Sequence, residues 1–175
     1  MKKFLVVVAG LLLLVLIFSG SVYRDVNKEY LRIHIRANSN TPVDQNVKYE
    51  IKDSVVEFLT PFVASCNSFE EVKECMASNL ENIDRVANEI LIKRGFLYRA
   101  KSKLAQEEFP TRDYNGFVLE AGYYDAIIVE LGSAKGDNWW CVVYPPLCFT
   151  STTSGSNVVY RSRIIDMINN FFNKK

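Results

Sequence analysis

Apolar positions along this chain switch several times between a period of two and a helical period. From Tyr30 to Ala37, Leu31, Ile33, Ile35 and Ala37 alternate with Arg32, His34 and Arg36. Such alternation predicts a strand with one buried face. Thr41 then offers an N-cap, Pro42 suits the first helical position, and Asp44 falls three residues after the cap. Behind them Val47, Ile51, Val55, Phe58, Leu59 and Phe62 form one helical stripe, which Pro61 is expected to end or kink. Ser68 with Glu71 opens a second helix. Its stripe is Val72, Met76, Leu80, Ile83, Ala87, Ile90 and Leu91, and Gly95 supplies the stop after Lys93 and Arg94.

The second half is richer in strands. Phe96 to Ala105 alternates Tyr98, Ala100, Ser102 and Leu104 with Arg99, Lys101 and Lys103, so its outer face is basic. Phe109-Pro110-Thr111-Arg112 interrupts the pattern, Tyr114-Asn115-Gly116 is a turn, and a short strand follows within 116–121. Tyr123 to Leu131 is apolar on most of both faces, as a central strand would be. Gly132 to Asn138 leads into a strand from Trp139 to Tyr144, and the two are expected to form a hairpin. Pro145-Pro146 must end it, because proline donates nothing to a ladder. Thr150 to Asn157 is a Ser/Thr/Gly-rich connection. Val158 to Asn173 is a closing amphipathic helix with Ile164, Ile165, Ile168, Phe171 and Phe172 inward. This order predicts an α+β fold, with helices packed on one face of a mainly antiparallel sheet.

Length and charge narrow the picture. A chain of 175 residues suits one domain, and a net charge of +1 makes no case for a nucleic-acid partner. Met1-Lys2-Lys3 is a positive start, Phe4 to Phe18 is unbroken apolar sequence, and Ser19 and Ser21 are small residues where signal peptidase needs them. At about fifteen residues the apolar run is short of the roughly twenty of a comfortable span. Residues 1–21 are therefore expected to be a signal peptide cleaved before Val22, or an uncleaved anchor tying the domain to a membrane. Residues 22–175 form the exported domain.

Export changes the meaning of the cysteines. Cys66, Cys75, Cys141 and Cys148 allow three pairings, of which the sequence-local one (Cys66 with Cys75, Cys141 with Cys148) is the simplest. Free buried thiols are the competing reading, above all for Cys75 on an apolar helix face. One histidine and no Cys-x-x-Cys argue against a metal site, and no cofactor motif is present. The standard hydrolase signatures are missing, and no paired carboxylates suggest acid–base work. A thiol at Cys141 or Cys148 activated by His34 is the one nucleophilic pairing available, and a disulfide would remove it. Trp139 and Trp140 are adjacent on a strand and must face opposite ways, so one belongs to the core and the other is exposed or covered by a loop or helix.

Gly136 to Phe149 reads Gly-Asp-Asn-Trp-Trp-Cys-Val-Val-Tyr-Pro-Pro-Leu-Cys-Phe. With the block Leu31 to Asp53, and with Phe109 to Arg112, Tyr114 and Ala121 to Ala126, it resembles the stage II sporulation protein R family. The likeness covers nearly the whole exported domain. It departs after Phe149, where the family would carry a longer acidic or polar insertion. The resemblance implies a non-enzymatic signal exported into the space between forespore and mother cell. There it would activate a membrane-embedded aspartic protease that cleaves the precursor of the mother-cell factor sigma-E. Candidate contacts with that protease are His34, Arg36, Asn38, Arg112, Trp139 and Trp140. The alternatives are an exported cell-wall hydrolase and a structural protein of the intermembrane space.

Overall fold

A computed structural model describes residues 26–114, 116–149 and 160–173, so the expected leader at 1–21 and the connection at 150–157 lie outside the described residues. The chain runs β1 (Val26–Arg36), α1 (Pro42–Ser65), α2 (Phe69–Ser78), α3 (Leu80–Lys93), β2 (Ala100–Phe109), β3 (Arg112–Tyr114), β4 (Phe117–Leu119), β5 (Gly122–Leu131), β6 (Asn138–Tyr144), a single 3-10 turn (Leu147–Phe149) and α4 (Arg161–Asn173). The fold is α+β. Four strands form a sheet in the order β2-β5-β1-β6, and β3 and β4 pair separately. β1 runs parallel to β5, and the other two pairings in the sheet are antiparallel. Among the described residues no helix is long and apolar enough to cross a membrane.

The first core lies under the helices. Leu31, Ile33 and Ile35 of β1, with Ile127 and Val129 of β5, pack against Val47, Ile51, Val55 and Leu59 of α1 and Met76, Ile83 and Leu91 of α2 and α3. α1 begins as expected, with the Asp44 amide donating to Thr41 Oγ1, but it runs through Pro61 to Ser65. Proline removes one backbone donor, and Val63 and Ala64 beyond it are buried in this core, which rewards continuing the helix. The second predicted helix is two helices. Asn79 breaks it: its backbone leaves the helical region, and its buried side chain donates to the Cys75 carbonyl at 2.9 Å. The apolar stripe crosses the break in register, which is why periodicity alone does not reveal it. Gly95, at φ +78°, closes α3: its N–H bonds to Ile92 and that of Phe96 to Leu91, the paired bonds of a Schellman motif.

The face of β1 predicted to meet solvent is a second core instead. Tyr30, Phe109, Leu119, Tyr124, Ala126, Ile128 and Val142 are buried there, beneath Phe117 and Phe171. Arg32 is fully buried and His34 is 4% exposed. The polar faces of strands at 30–37 and 100–105 gave no sign of this cover, because it comes from the distant β3–β4 hairpin and the end of α4. Of the residues expected to point inward from α4, Ile164 is buried, whereas Ile165 and Phe172 are exposed.

β5 and β6 are not a hairpin, since β1 lies between them. The segment after β1 crosses the β5–β6 loop and is braced to it. Gly136 N–H bonds to Ala37 O, Lys135 N–H to Asn38 O, and Ser133 donates to Asn38 through both its amide and its hydroxyl. Asn38 in turn donates to the Asp44 carboxylate at 2.9 Å, which also accepts from Ser39 and from the Tyr98 hydroxyl. Burial raises the pKa of Asp44, but the hydrogen bonds from Ser39, Tyr98, Asn38 and Thr41 outweigh it and leave the carboxyl below its ordinary range. A Cβ on Gly136 would overlap the Ser39 carbonyl, which is backbone and has no rotamer to move to.

Gly136→Ala is therefore expected to cost about 1–3 kcal/mol, seen as a lower urea midpoint with an unchanged denaturant slope. An unaltered midpoint would mean that the crossing is looser than described.

Candidate functional site

The second core holds a buried arginine and the protein's one histidine. Arg32 points into it from the middle of the sheet. Its guanidinium carbon stands 4.1 Å from the Phe109 ring centroid, 4.9 Å from that of Tyr124 and 5.7 Å from that of Tyr114, and Nη2 donates to the Tyr114 hydroxyl. Aromatic faces attract a desolvated cation, which offsets part of the cost of burying it. Nε and Nη1 have no hydrogen-bond partner, and burial lowers the Arg32 pKa. Arg32 thus fastens β1 to the end of β2 and to the β3–β4 hairpin.

His34 sits one pleat further along β1. Its ring lies 5.2 Å from Trp140 and 5.8 Å from Phe109, between centroids. Nδ1 is 2.7 Å from Glu107 Oε2, and Arg36 pairs with both Glu107 and Glu130. Lys103 reaches Glu130 from the next strand at 3.0 Å. Glu107 is paired along the sheet with Tyr124 and Phe109 with Gly122. Their side chains nonetheless reach His34 and Arg36, so this end of β2 bends over the face. Burial, aided by the positive charges of Arg36 and Arg32, pushes the His34 pKa down to about 4 against the opposing effects of the Asn138 side chain and the Glu130 carboxylate. At neutral pH the ring is uncharged, and Nδ1–H donates to Glu107.

Trp140 covers His34 and carries Arg112 on its outer side, with the guanidinium carbon 4.1 Å from the ring centroid. Arg112 is exposed. These two side chains line a cleft of about 460 Å³ together with Gln45, Lys48 and Tyr49 of α1 and with Gly136 to Asn138. Trp139 faces the other way, against the first core, with Lys52 Nζ 5.8 Å from its ring centroid. The six contact candidates therefore separate. His34, Arg36, Arg112 and Trp140 gather on one face, with His34 buried as the seat for Trp140. Asn38 belongs to the brace beneath the cleft, and Trp139 lies on the opposite face. Lys48 belongs to the block that resembles the family but was not among the contact candidates, although Asp44 and Lys48 continue the stripe of Ile51 and Val55, and that spacing could have shown both to be buried.

Cys141 and Cys148 are joined in a disulfide that holds β6 to the 3-10 turn across Pro145-Pro146, while Cys66 and Cys75 are free thiols. The sequence-local pattern is thus formed at one pair and not at the other. Neither cysteine once considered as a His34-activated nucleophile carries a thiol in this structure.

Comparison with known proteins gives a consistent result. A family model described as stage II sporulation protein R matches residues 27–154. Stage II sporulation protein R of Bacillus subtilis (strain 168) is 38% identical over 128 residues, which is 73% of this chain and 57% of that protein. The chain thus aligns with little more than half the length of this curated relative. No solved structure matches.

The His34 site makes a pH prediction. A histidine has a pKa near 6.5 when unfolded and about 4 here. Between those values the unfolded chain binds the proton and the folded one does not, so stability is full above pH 6.5 and is lost as pH falls toward 4. The loss attributable to His34 is about 3 kcal/mol at most. A His34→Asn variant is expected to show a shallower fall in Tm between pH 6.5 and 4 than the unaltered chain, and parallel curves would remove His34 as the cause.

Proposed function

Because the chain belongs to the stage II sporulation protein R family, we propose that it is an exported signal of sporulation that switches on a membrane-embedded aspartic protease. The protease then cleaves the precursor of the mother-cell factor sigma-E. The signal acts in the space between the forespore and mother-cell membranes, after export directed by residues 1–21. The observation that carries this reading is the family match across residues 27–154. The surface is compatible with it. Trp140 and Arg112 form a half-exposed aromatic and cationic platform, and these residue types are frequent anchors at interfaces. A binder shifts the protease equilibrium only by preferring its active state, so the platform must fit that state better than the inactive one.

The test is reconstitution. The full-length chain is co-expressed with the protease and its sigma-factor precursor in a non-sporulating host, and cleavage is followed on a blot. Cleavage is expected only when the chain is present. Trp140→Ala is expected to raise the amount of signal needed at least tenfold, as loss of an interface anchor does, with an unchanged circular dichroism spectrum. Cleavage independent of the chain would end the signalling reading and bring an exported cell-wall hydrolase to the front.

A further inference from the structure

Lys48 is the most unusual group in the cleft. It is 1% exposed, and its ammonium donates to Gln45 Oε1 at 2.6 Å and to the Asp137 backbone carbonyl at 3.0 Å. An ammonium has three N–H donors, and neither of these acceptors is a carboxylate. The Tyr49 ring lies 4.5 Å from Nζ, and the Asp137 charge attracts the ammonium without outweighing its burial, which lowers the Lys48 pKa. Burying a cation is costly, and a further anion beside it offsets part of that cost. Arg112 also lines the cleft, stacked on Trp140 and without a carboxylate partner among the salt bridges of the described residues. Asp137 is the one acidic residue of the lining, and its carboxylate accepts from Asn40 Nδ2 at 3.2 Å. The lining therefore holds two cations and one anion.

We propose that this cleft takes a carboxylate side chain of the partner protein, an Asp or Glu on an exposed segment, held between Lys48 and Arg112 and flanked by the rings of Tyr49 and Trp140. The proposal rests on the signalling reading for the identity of the partner, and on the cleft alone for its chemistry. A single surplus positive charge matches a carboxylate better than a doubly charged phosphate, which the Asp137 rim would repel. The position also favours a protein. The cleft opens at the first residues of β6, an edge strand of the sheet, where a partner segment can approach. The start of the opposite edge is already occupied: the β2 amides of Ala100 and Ser102 donate to Asn88 and Asp84 of α3.

Binding of the full-length chain to acetyl-(Glu-Thr)3-amide and to its Gln-Thr counterpart tests this, read by tryptophan fluorescence at low salt. The Glu peptide is expected to bind at least tenfold more tightly than the Gln peptide. That preference should vanish in Arg112→Gln, which alters an exposed residue, and in Lys48→Met, which keeps the buried volume. Equal binding of the two peptides overturns the proposal. So does tighter binding of inorganic phosphate than of the Glu peptide, or binding to anionic lipid vesicles that needs Lys48 and Arg112. In the cleavage assay, loss of signalling by Arg112→Gln supports the proposal, and full signalling by that variant overturns it while leaving the signalling role intact. A Glu preference in a chain that triggers no cleavage would instead end the signalling role and leave the cleft chemistry standing.

Discussion

The crossing of two loops at Ala37–Ser39 and Ser133–Gly136 is the constraint on which the rest depends. β1 ends there, α1 begins there, and the path from β5 to β6 must pass over both. Two close backbone approaches and one buried carboxylate hold the crossing. Gly136 lets the chains touch, and Asp44 gathers donors from Asn38, Ser39 and Tyr98. A buried carboxylate is tolerable only when its lone pairs are met, and here the donors come from the segment after β1 and from Tyr98, more than fifty residues away. The same crossing places Asp137 over α1 and so positions the carbonyl to which Lys48 bonds.

Much of the fold was legible where local chemistry decides it. The caps at Thr41 and Ser68, the stop at Gly95 and the two-sided apolar character of 123–131 all predicted elements that exist, because each rests on neighbours within a few residues. What escaped is decided at long range. Arg32 and His34 look like the wet side of a strand, and only the arrival of Phe109, the β3–β4 hairpin and Phe171 turns that side into a core. The place of β1 between β5 and β6 is equally invisible, since strand pairing depends on which edges meet and not on alternation within a strand. Asn79 breaks a helix whose stripe continues unbroken, so no count of apolar positions could find it.

The candidate site shows the same division. Trp140 and Arg112 were recognisable as aromatic and basic residues in unusual company, and they do meet. Their neighbour His34 was grouped with them through the family resemblance, and its part is to support the tryptophan from beneath. Asn38 and Trp139 were chosen with the same logic and lie elsewhere. Residue type identifies what can bind, but only the topology sorts residues that face a partner from residues that hold those in place.

The order of strands in the sheet also has a consequence for how the chain becomes a protein. β1 is nearest the N-terminus, yet both of its neighbours lie about ninety or more residues later, at 122–131 and 138–144. A chain delivered N-terminus first presents β1 early and with both edges unpaired, the condition in which strands join wrong partners. The helices can form on the way, since their contacts are local, but the sheet closes only when nearly all of the described chain has arrived. Completion is therefore an event of the last third of the chain, and a product truncated before β6 keeps an exposed strand edge where the finished molecule has its Trp140 wall.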